Sequence, residues 1–322
     1  MPGYTLLLTV PPDLPVFLHL AVAMCRQQDP SHLVETVVVP DRFNPSFRQE
    51  VAAAAAAWPE GRIRLVEPSY KDRLLRPVLR AASFIHWQQL VIGAGALRTT
   101  HAILHDVDLF MLESGFLRSL YETCRDGNYA CVGSGPMWEG HTWAKLPRFA
   151  HVVPLWELTF ELDWMRANPP HAQRPQYGEF PEGTFWFETS LLAQAHTEPH
   201  RIARHRESDL VHFGWVIGGY RAFQTSSGGF EDTHFGLLLI RLLADALDAG
   251  GSYNELPSHR DLVEGLDNPN RRVFYADAAS SNYRGFRQKL ERILKSNLLD
   301  AESCSAMRTG LAPFDAAFGR NP

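Results

Sequence analysis

The chain has 322 residues and a formal net charge of −5, a length sufficient for one large domain or two closely joined ones. The acidic balance gives no reason to expect nucleic-acid binding, and no apolar run reaches the roughly 20 residues that a membrane span needs. The four cysteines form no CxxC pair and the chain starts without the basic segment of a secretory signal. We therefore expect reduced thiols in a cytoplasmic protein.

The first 135 residues alternate apolar strand patterns with helical patterns. Strands are expected over 4–10, 35–39, 62–67, 101–104 and 129–133, and helices over 15–27, 47–58, 77–98 and 114–125. The glycines at 93 and 95 are expected to break the third of these helices. Such alternation predicts an α/β fold, in which a mostly parallel sheet is flanked by helices and binds ligands at the carboxyl ends of its strands.

The second half of the chain has a weaker pattern. Residues 136–183 are rich in Trp, Pro and His, and we expect loops and short helices there. A strand over 183–189 and helices over 190–196, 237–247 and 282–299 follow from their apolar spacing. No repeat or linker divides the chain, so we expect one continuous domain with a first half, 1–135, and a second half, 136–322.

Two carboxylates stand directly after the expected strand 101–104, at Asp106 and Asp108. A chain of this length contains about one Asp-x-Asp pair by chance. This pair, however, lies at a strand end in the middle of the α/β alternation. Strand alternation would place both side chains on one side, where they can hold one hard cation against phosphate oxygens. The pair predicts a site for Mn²⁺ or Mg²⁺.

The segment from His86 to Phe110 resembles the donor-binding core of GT-A glycosyltransferases, in which an aromatic-Gln-Gln-Leu helix precedes a strand that ends in Asp-x-Asp. The resemblance implies that Asp106 contacts the donor ribose or a metal-bound water and that Asp108 ligates the metal. It also assigns Gln89 to the donor site and implies a nucleotide diphosphate sugar (UDP-, GDP- or dTDP-linked) as donor. His105 departs from the family pattern, and we expect it to be a packed residue.

A second acidic pair, Glu231 and Asp232, follows two glycines at the start of an apolar helix. It is similar to the Glu-Asp motif of inverting GT-A enzymes, in which an acid takes the proton from the acceptor hydroxyl. The resemblance implies Asp232 as the base, with Glu231 as the next candidate. Acids in a first helical turn also stabilise the helix, so capping is the competing interpretation.

Four further groups of residues are candidates by position. Trp186 could stack on a sugar and Glu188 could bind its hydroxyls, although a buried core aromatic is an equal alternative for Trp186. Many GT-A enzymes supply a later histidine to the metal, and His212 and His259 are the candidates here. Arg76 suits a diphosphate, as do Arg73 and Arg80. Thr9, near the end of the first strand, occupies the place of the nucleotide base in GT-A folds.

The function expected from this pattern is transfer of a sugar to a hydroxyl of a small molecule or glycan. A nucleotidyltransferase or another metal-dependent phosphate enzyme shares the nucleotide and the metal, but such enzymes usually have a glycine-rich basic loop near the first strand. Residues 10–13, Val-Pro-Pro-Asp, do not provide one. A non-catalytic carbohydrate-binding protein with the same fold is the second alternative.

Overall fold

The computed structural model describes the chain except residues 78, 80, 136, 138–139, 156, 207–208, 215, 226–230, 248–255, 276–278 and 320–322, and gives the backbone alone at 231–234 and 279. Its strands are β1 (Tyr4–Val10), β2 (Leu33–Pro40), β3 (Ile63–Leu65), β4 (His101–His105), β5 (Leu109–Met111), β6 (Cys131–Ser134), β7 (Glu157–Glu161), β8 (Gln176–Phe180), β9 (Gly183–Phe187), β10 (Ile202–His205) and β11 (Leu210–His212).

The helices surround these strands. They are α1 (Val16–Cys25), α2 (Phe47–Ala57), α3 (Tyr70–Leu75), α4 (Ala82–Gly95), α5 (Phe116–Asp126), α6 (Leu162–Ala167), α7 (Pro170–Gln173), α8 (Leu191–Ala195), α9 (Val216–Thr225), α10 (Glu231–Leu247), α11 (His259–Glu264), α12 (Ala279–Lys295) and α13 (Ala301–Phe318). Among the residues that the structure describes, no helix combines the length and the apolar character needed to cross a membrane.

The central sheet has seven strands in the order β10-β6-β7-β4-β1-β2-β3. Strand β7 is antiparallel to both of its neighbours, whereas the other pairings are parallel. Every residue of β1 is buried, as expected for a central strand covered on both faces. Helix α1 packs in the hydrophobic core on one face of the sheet, and α4 packs in the hydrophobic core on the other face. The predicted α/β fold with a mostly parallel sheet flanked by helices is therefore confirmed.

Most of the elements predicted for the first 135 residues are present within a few residues of the predicted ends. The helix expected over 77–98 is different: α4 begins at Ala82 and continues through Gly93. Gly93 does not break the helix, which ends at Gly95. The missing side chain of Gly93 lets α4 lie close to β1. A Cβ atom there would lie 2.5 Å from a methyl carbon of Leu7.

The region 136–183 contains more regular structure than expected. The prediction of only loops and short helices is wrong at Glu157–Glu161, because β7 lies inside the main sheet between β4 and β6. The predicted strand at 183–189 is present as β9, but it pairs with β8 in a separate hairpin. The main sheet also gains β10 at its edge, so strands from both sides of residue 135 build it.

Candidate metal and donor site

The Asp-x-Asp pair lies on a tight turn at the carboxyl end of β4. Strand β4 ends at His105, and the backbone N–H of Leu109 then donates to the carbonyl of Asp106 at 3.1 Å. Strand β5 begins at once with Leu109. The expectation that strand alternation aligns the two acids is wrong, because neither belongs to the strand. The turn brings them together instead.

A third side chain, His212, reaches the two acids through a short antiparallel strand pair. Strand β11 pairs with β5 and places His212 opposite Leu109. The His212 Nε2 atom lies 3.3 Å from Oδ1 of Asp108. One ligand atom from each of Asp106, Asp108 and His212 can be chosen so that all three lie within 4.8 Å of one another. The structure thus brings three of the four predicted metal ligands to one point.

The fourth candidate, His259, lies elsewhere. It is the first residue of α11, and its Nε2 atom is 2.8 Å from the carbonyl oxygen of Gly310 on α13. Its ring also packs edge-on against Phe314, with 6.3 Å between the ring centroids. These contacts join two C-terminal helices, and the three-residue group at the β4 turn does not include His259.

Burial and mutual charge interactions perturb the pKa values of Asp106 and His212. Burial, followed by the charge of Asp108, raises the pKa of Asp106 to about 7. Burial alone would lower the pKa of His212, but its bond to Asp108 and the two carboxylate charges raise it. Two carboxylates and one imidazole suit Mn²⁺ well and also accept Mg²⁺, and either cation would relieve the repulsion between the acids.

A buried pair, His105 and Glu157, supports the turn. The two residues lie opposite each other on β4 and β7, both side chains are fully buried, and His105 Nδ1 is 2.6 Å from a carboxylate oxygen of Glu157. Burial lowers the pKa of His105, but the Glu157 carboxylate and Cys25 raise it well above its ordinary value. The expectation that His105 is a packed residue fits this position. Sequence reasoning missed Glu157, although Leu158 and Phe160 alternate with polar residues there as they do in a strand.

An arginine-rich cluster lies at the carboxyl ends of β1 and β2. Asp41, which is 6% exposed, accepts bonds from Arg221 at 2.7 Å and from Arg42 at 3.0 Å. The Nε–H of Arg76 donates to the backbone carbonyl of Asp41 at 2.8 Å. Arg221 also bonds Asp13, which follows β1, at 3.0 Å. Of these residues, the sequence singled out Arg76 alone.

A cleft of about 380 Å³ opens beside this cluster. Its lining includes Arg42, Arg73 and Arg76 together with Phe43. The guanidinium carbon of Arg73 lies 3.6 Å from the centroid of the Phe43 ring. The arginines and Phe43 share the lining with the acids Asp41 and Asp72, and the Arg73 guanidinium covers one face of the Phe43 ring.

The other two predicted donor residues are largely buried. Thr9 is 7% exposed and lies opposite Val39 in the β1–β2 pair, one residue before β1 ends. Gln89, also 7% exposed, donates from Nε2 to the carbonyl oxygen of Val39 at 2.8 Å. The Gln89 contact fixes α4 to the end of β2, and the neighbouring Gln88 lines the cleft.

Trp186 lies on an aromatic hairpin. Its ring centroid is 5.0 Å from that of Tyr177, its cross-strand partner, and 6.3 Å from that of Phe84. Tyr177 is 67% exposed, so this aromatic surface faces solvent. Glu188 follows β9, and burial raises its pKa. Burial lowers the pKa of His86 to about 4, and the charge of the Glu188 carboxylate partly opposes this effect.

Glu231 and Asp232 form the first turn of α10, but their side chains lie outside the described residues. Their assignment as the catalytic base and its neighbour stays a prediction.

No protein-family model matches the sequence, and a search of curated proteins gives no match. Among solved structures, the chain is similar to glucosyl-3-phosphoglycerate synthase from Mycobacterium tuberculosis in complex with Mn²⁺, UDP and glucosyl-3-phosphoglycerate. That similarity has a TM-score of 0.44 and 13% identity, over 66% of this chain and 72% of that chain.

The chain is also similar to a mannosyltransferase from Pyrobaculum calidifontis in complex with GDP-Man and Mn²⁺, with a TM-score of 0.45 and 13% identity over 97% of this chain and 87% of that one. A third similar structure is S. aureus TarS, with a TM-score of 0.42 and 9% identity. The similarity covers 98% of this chain and 54% of TarS. At these values the likeness assigns no function, so the chemistry follows from the site's own residues.

Proposed function

We propose that the protein is a metal-dependent glycosyltransferase of the GT-A type, which moves a sugar from a nucleotide diphosphate sugar to a hydroxyl acceptor. The convergence of Asp106, Asp108 and His212 at the carboxyl end of β4, in the middle of the main sheet, is the observation that supports this most strongly. Mn²⁺ or Mg²⁺ held there would neutralise the charge that develops on the departing diphosphate.

The donor nucleotide would lie over the ends of β1 and β2. Arg76, together with Arg42 and Arg73, supplies positive charge for the diphosphate, and Phe43 offers a face for the base. Thr9 would lie at the base, and Gln89 would hold the wall of the cleft. We assign these roles to the first half of the chain, residues 1–135, with UDP-, GDP- and dTDP-sugars as the candidate donors.

The acceptor would be bound by the second half, residues 136–322. Trp186 presents an aromatic surface on which a sugar ring can stack, and Glu188 can accept bonds from its hydroxyls. Asp232, with Glu231 beside it, would take the proton from the attacking hydroxyl. Acceptors are small molecules or glycans under this proposal, and a cytoplasmic location suits a nucleotide-sugar donor and reduced thiols.

A thermal-shift panel tests the proposal directly. The protein is heated with UDP-, GDP- or dTDP-sugars, each with Mn²⁺ and with EDTA, and one donor is expected to stabilise it in a metal-dependent way. Asp108→Ala should remove the metal-dependent part of the shift. The matched control is Asp163→Ala, since Asp163 lies on the surface at 79% exposure. Equal shifts in the wild-type protein and Asp108→Ala would contradict the proposal.

A further inference from the structure

A second cleft, with a volume of about 780 Å³, opens between α9, α10 and α12. This volume lies within the roughly 300–1,000 Å³ of small-molecule sites. Three aromatic rings stand in series along it: the centroids of Phe213 and Phe286 are 5.9 Å apart, and those of Phe286 and Phe235 are 5.6 Å apart. Phe235, Phe286 and Val216 are 3%, 7% and 6% exposed, so they form the packed floor of the cleft, and Phe213 is its more accessible ring. The volume and this apolar floor allow the cleft to hold an apolar group.

This apolar cleft begins beside the metal group. Phe213, which lines it, is the residue directly after the metal-ligand candidate His212. Lys289 also lines the cleft; its Nζ donates to the carbonyl oxygen of His212 at 3.0 Å and lies 5.8 Å from the centroid of the Phe213 ring. A molecule in the cleft would thus reach the position where the diphosphate–sugar bond is expected to break.

The two clefts differ in the number of charged side chains that line them, and this difference indicates what each can hold. The proposed donor cleft is lined by three arginines and two acids, Arg42, Arg73, Arg76, Asp41 and Asp72. Within the described lining of the apolar cleft, Lys289 supplies the positive charge, and aromatic, aliphatic and glycine residues predominate. Transferring a diphosphate from water to such a surface is costly, whereas burial of hydrocarbon is favourable.

We propose that the apolar cleft binds the aglycone of the acceptor, and that the acceptor is accordingly a hydroxyl compound carrying an apolar chain. This assignment rests on the proposed glycosyltransferase function and names the acceptor class for it. The hydroxyl-bearing head of the acceptor lies towards His212, and its hydrocarbon part lies along Phe213, Phe286 and Phe235.

Gly285 provides a substitution that tests the cleft without disturbing the core. It lies inside α12 and lines the cleft, and a Cβ atom built there meets no heavy atom within 4 Å. Gly285→Leu should therefore project a side chain into the cleft and narrow it. Gly285→Ala controls for the change in helix propensity. Gly95→Leu is the matched control elsewhere, because Gly95 is exposed at the end of α4 and its Cβ also meets open space.

The probes are n-octyl and methyl β-D-glucopyranoside, which share a head group and differ in the apolar chain. Binding is measured by isothermal titration with Mn²⁺ and UDP present, below the micelle concentration of the octyl compound. The octyl glycoside is expected to bind the wild-type protein, Gly285→Ala and Gly95→Leu roughly tenfold or more tighter than the methyl glycoside. Gly285→Leu is expected to lose that preference.

Equal binding of the octyl glycoside to the wild-type protein and Gly285→Leu overturns the assignment of the cleft. Thermal shifts with Mn²⁺ and UDP, GDP or dTDP, measured on the same variants, test the proposed function separately. If none of the three nucleotides gives a shift while the octyl preference depends on Gly285, the glycosyltransferase proposal and the acceptor role fall, although the cleft still binds an apolar ligand. If the shift is present without an octyl preference, the cleft assignment alone is wrong.

Discussion

Replacing Asp106 with asparagine should stabilise the metal-free protein and at the same time abolish its stabilisation by Mn²⁺. The substitution keeps the size of the side chain and removes its charge. Burial and the neighbouring Asp108 raise the pKa of Asp106 from 3.8 to about 7. Because one pKa unit corresponds to about 1.36 kcal/mol, ionising Asp106 in the folded protein costs about 4 kcal/mol. An asparagine avoids that cost.

The sign of the effect depends on pH. Below about pH 4, Asp106 is protonated in the folded and the unfolded protein, so its ionisation costs nothing. Between pH 4 and pH 7, Asp106 ionises in the unfolded chain but stays largely protonated in the folded protein, so the wild-type protein loses stability as the pH rises. Above pH 7 the loss is complete. The advantage of Asp106→Asn should therefore grow from pH 5 to pH 8.

Differential scanning fluorimetry in EDTA at pH 5, 6, 7 and 8 measures this advantage. At pH 8, Asp106→Asn should unfold about 5 °C above the wild-type protein. Saturating Mn²⁺ should reverse the order, because only the wild-type protein keeps both carboxylates. Asp163→Asn, on the exposed surface, should match the wild-type protein throughout. A melting temperature for Asp106→Asn equal to or below the wild-type value at pH 8 in EDTA would refute the reasoning.

Three further outcomes follow from the structure. Mn²⁺ affinity, measured by titration calorimetry, should fall below pH 7 by about tenfold per pH unit for each proton that the cation displaces from Asp106 and His212, and a flat profile would contradict this. His212→Ala should weaken Mn²⁺ binding roughly tenfold or more, and an unchanged Kd would exclude His212 as a ligand. Gly93→Ala should cost about 1–3 kcal/mol in urea unfolding, because the new methyl would lie 2.5 Å from a Leu7 carbon. Gly95→Ala meets open space and should cost nothing or gain up to about 1 kcal/mol.

The fold of the first half is predictable because apolar runs such as β1 are bounded by proline and glycine residues, which mark the ends of its strands and helices. Strand β1 is buried along its whole length, and its sequence shows this directly. Strand β7 is different, since Glu157 opens it with a charged residue. That residue is buried only because it faces His105 across the sheet. The pairing joins residues 52 positions apart, so no local pattern reveals it.

The Asp-x-Asp pair was predictable from its motif, but the histidine that lies beside it was not singled out. His212 and His259 were equal candidates, and the pairing of β11 with β5 decides between their positions. Arg221 shows the same limit. Its partners, Asp13 and Asp41, are 208 and 180 residues away, and the sequence alone gives no sign of the contact.

Pulsed electron paramagnetic resonance of the protein with one equivalent of Mn²⁺ and UDP tests the central claim most directly. We expect a nitrogen-14 coupling from His212 and phosphorus-31 couplings from the diphosphate in the wild-type spectrum. The nitrogen coupling should vanish in His212→Ala. A wild-type spectrum of hydrated Mn²⁺ with neither coupling would contradict a site in which Asp106, Asp108 and His212 hold the cation against the donor.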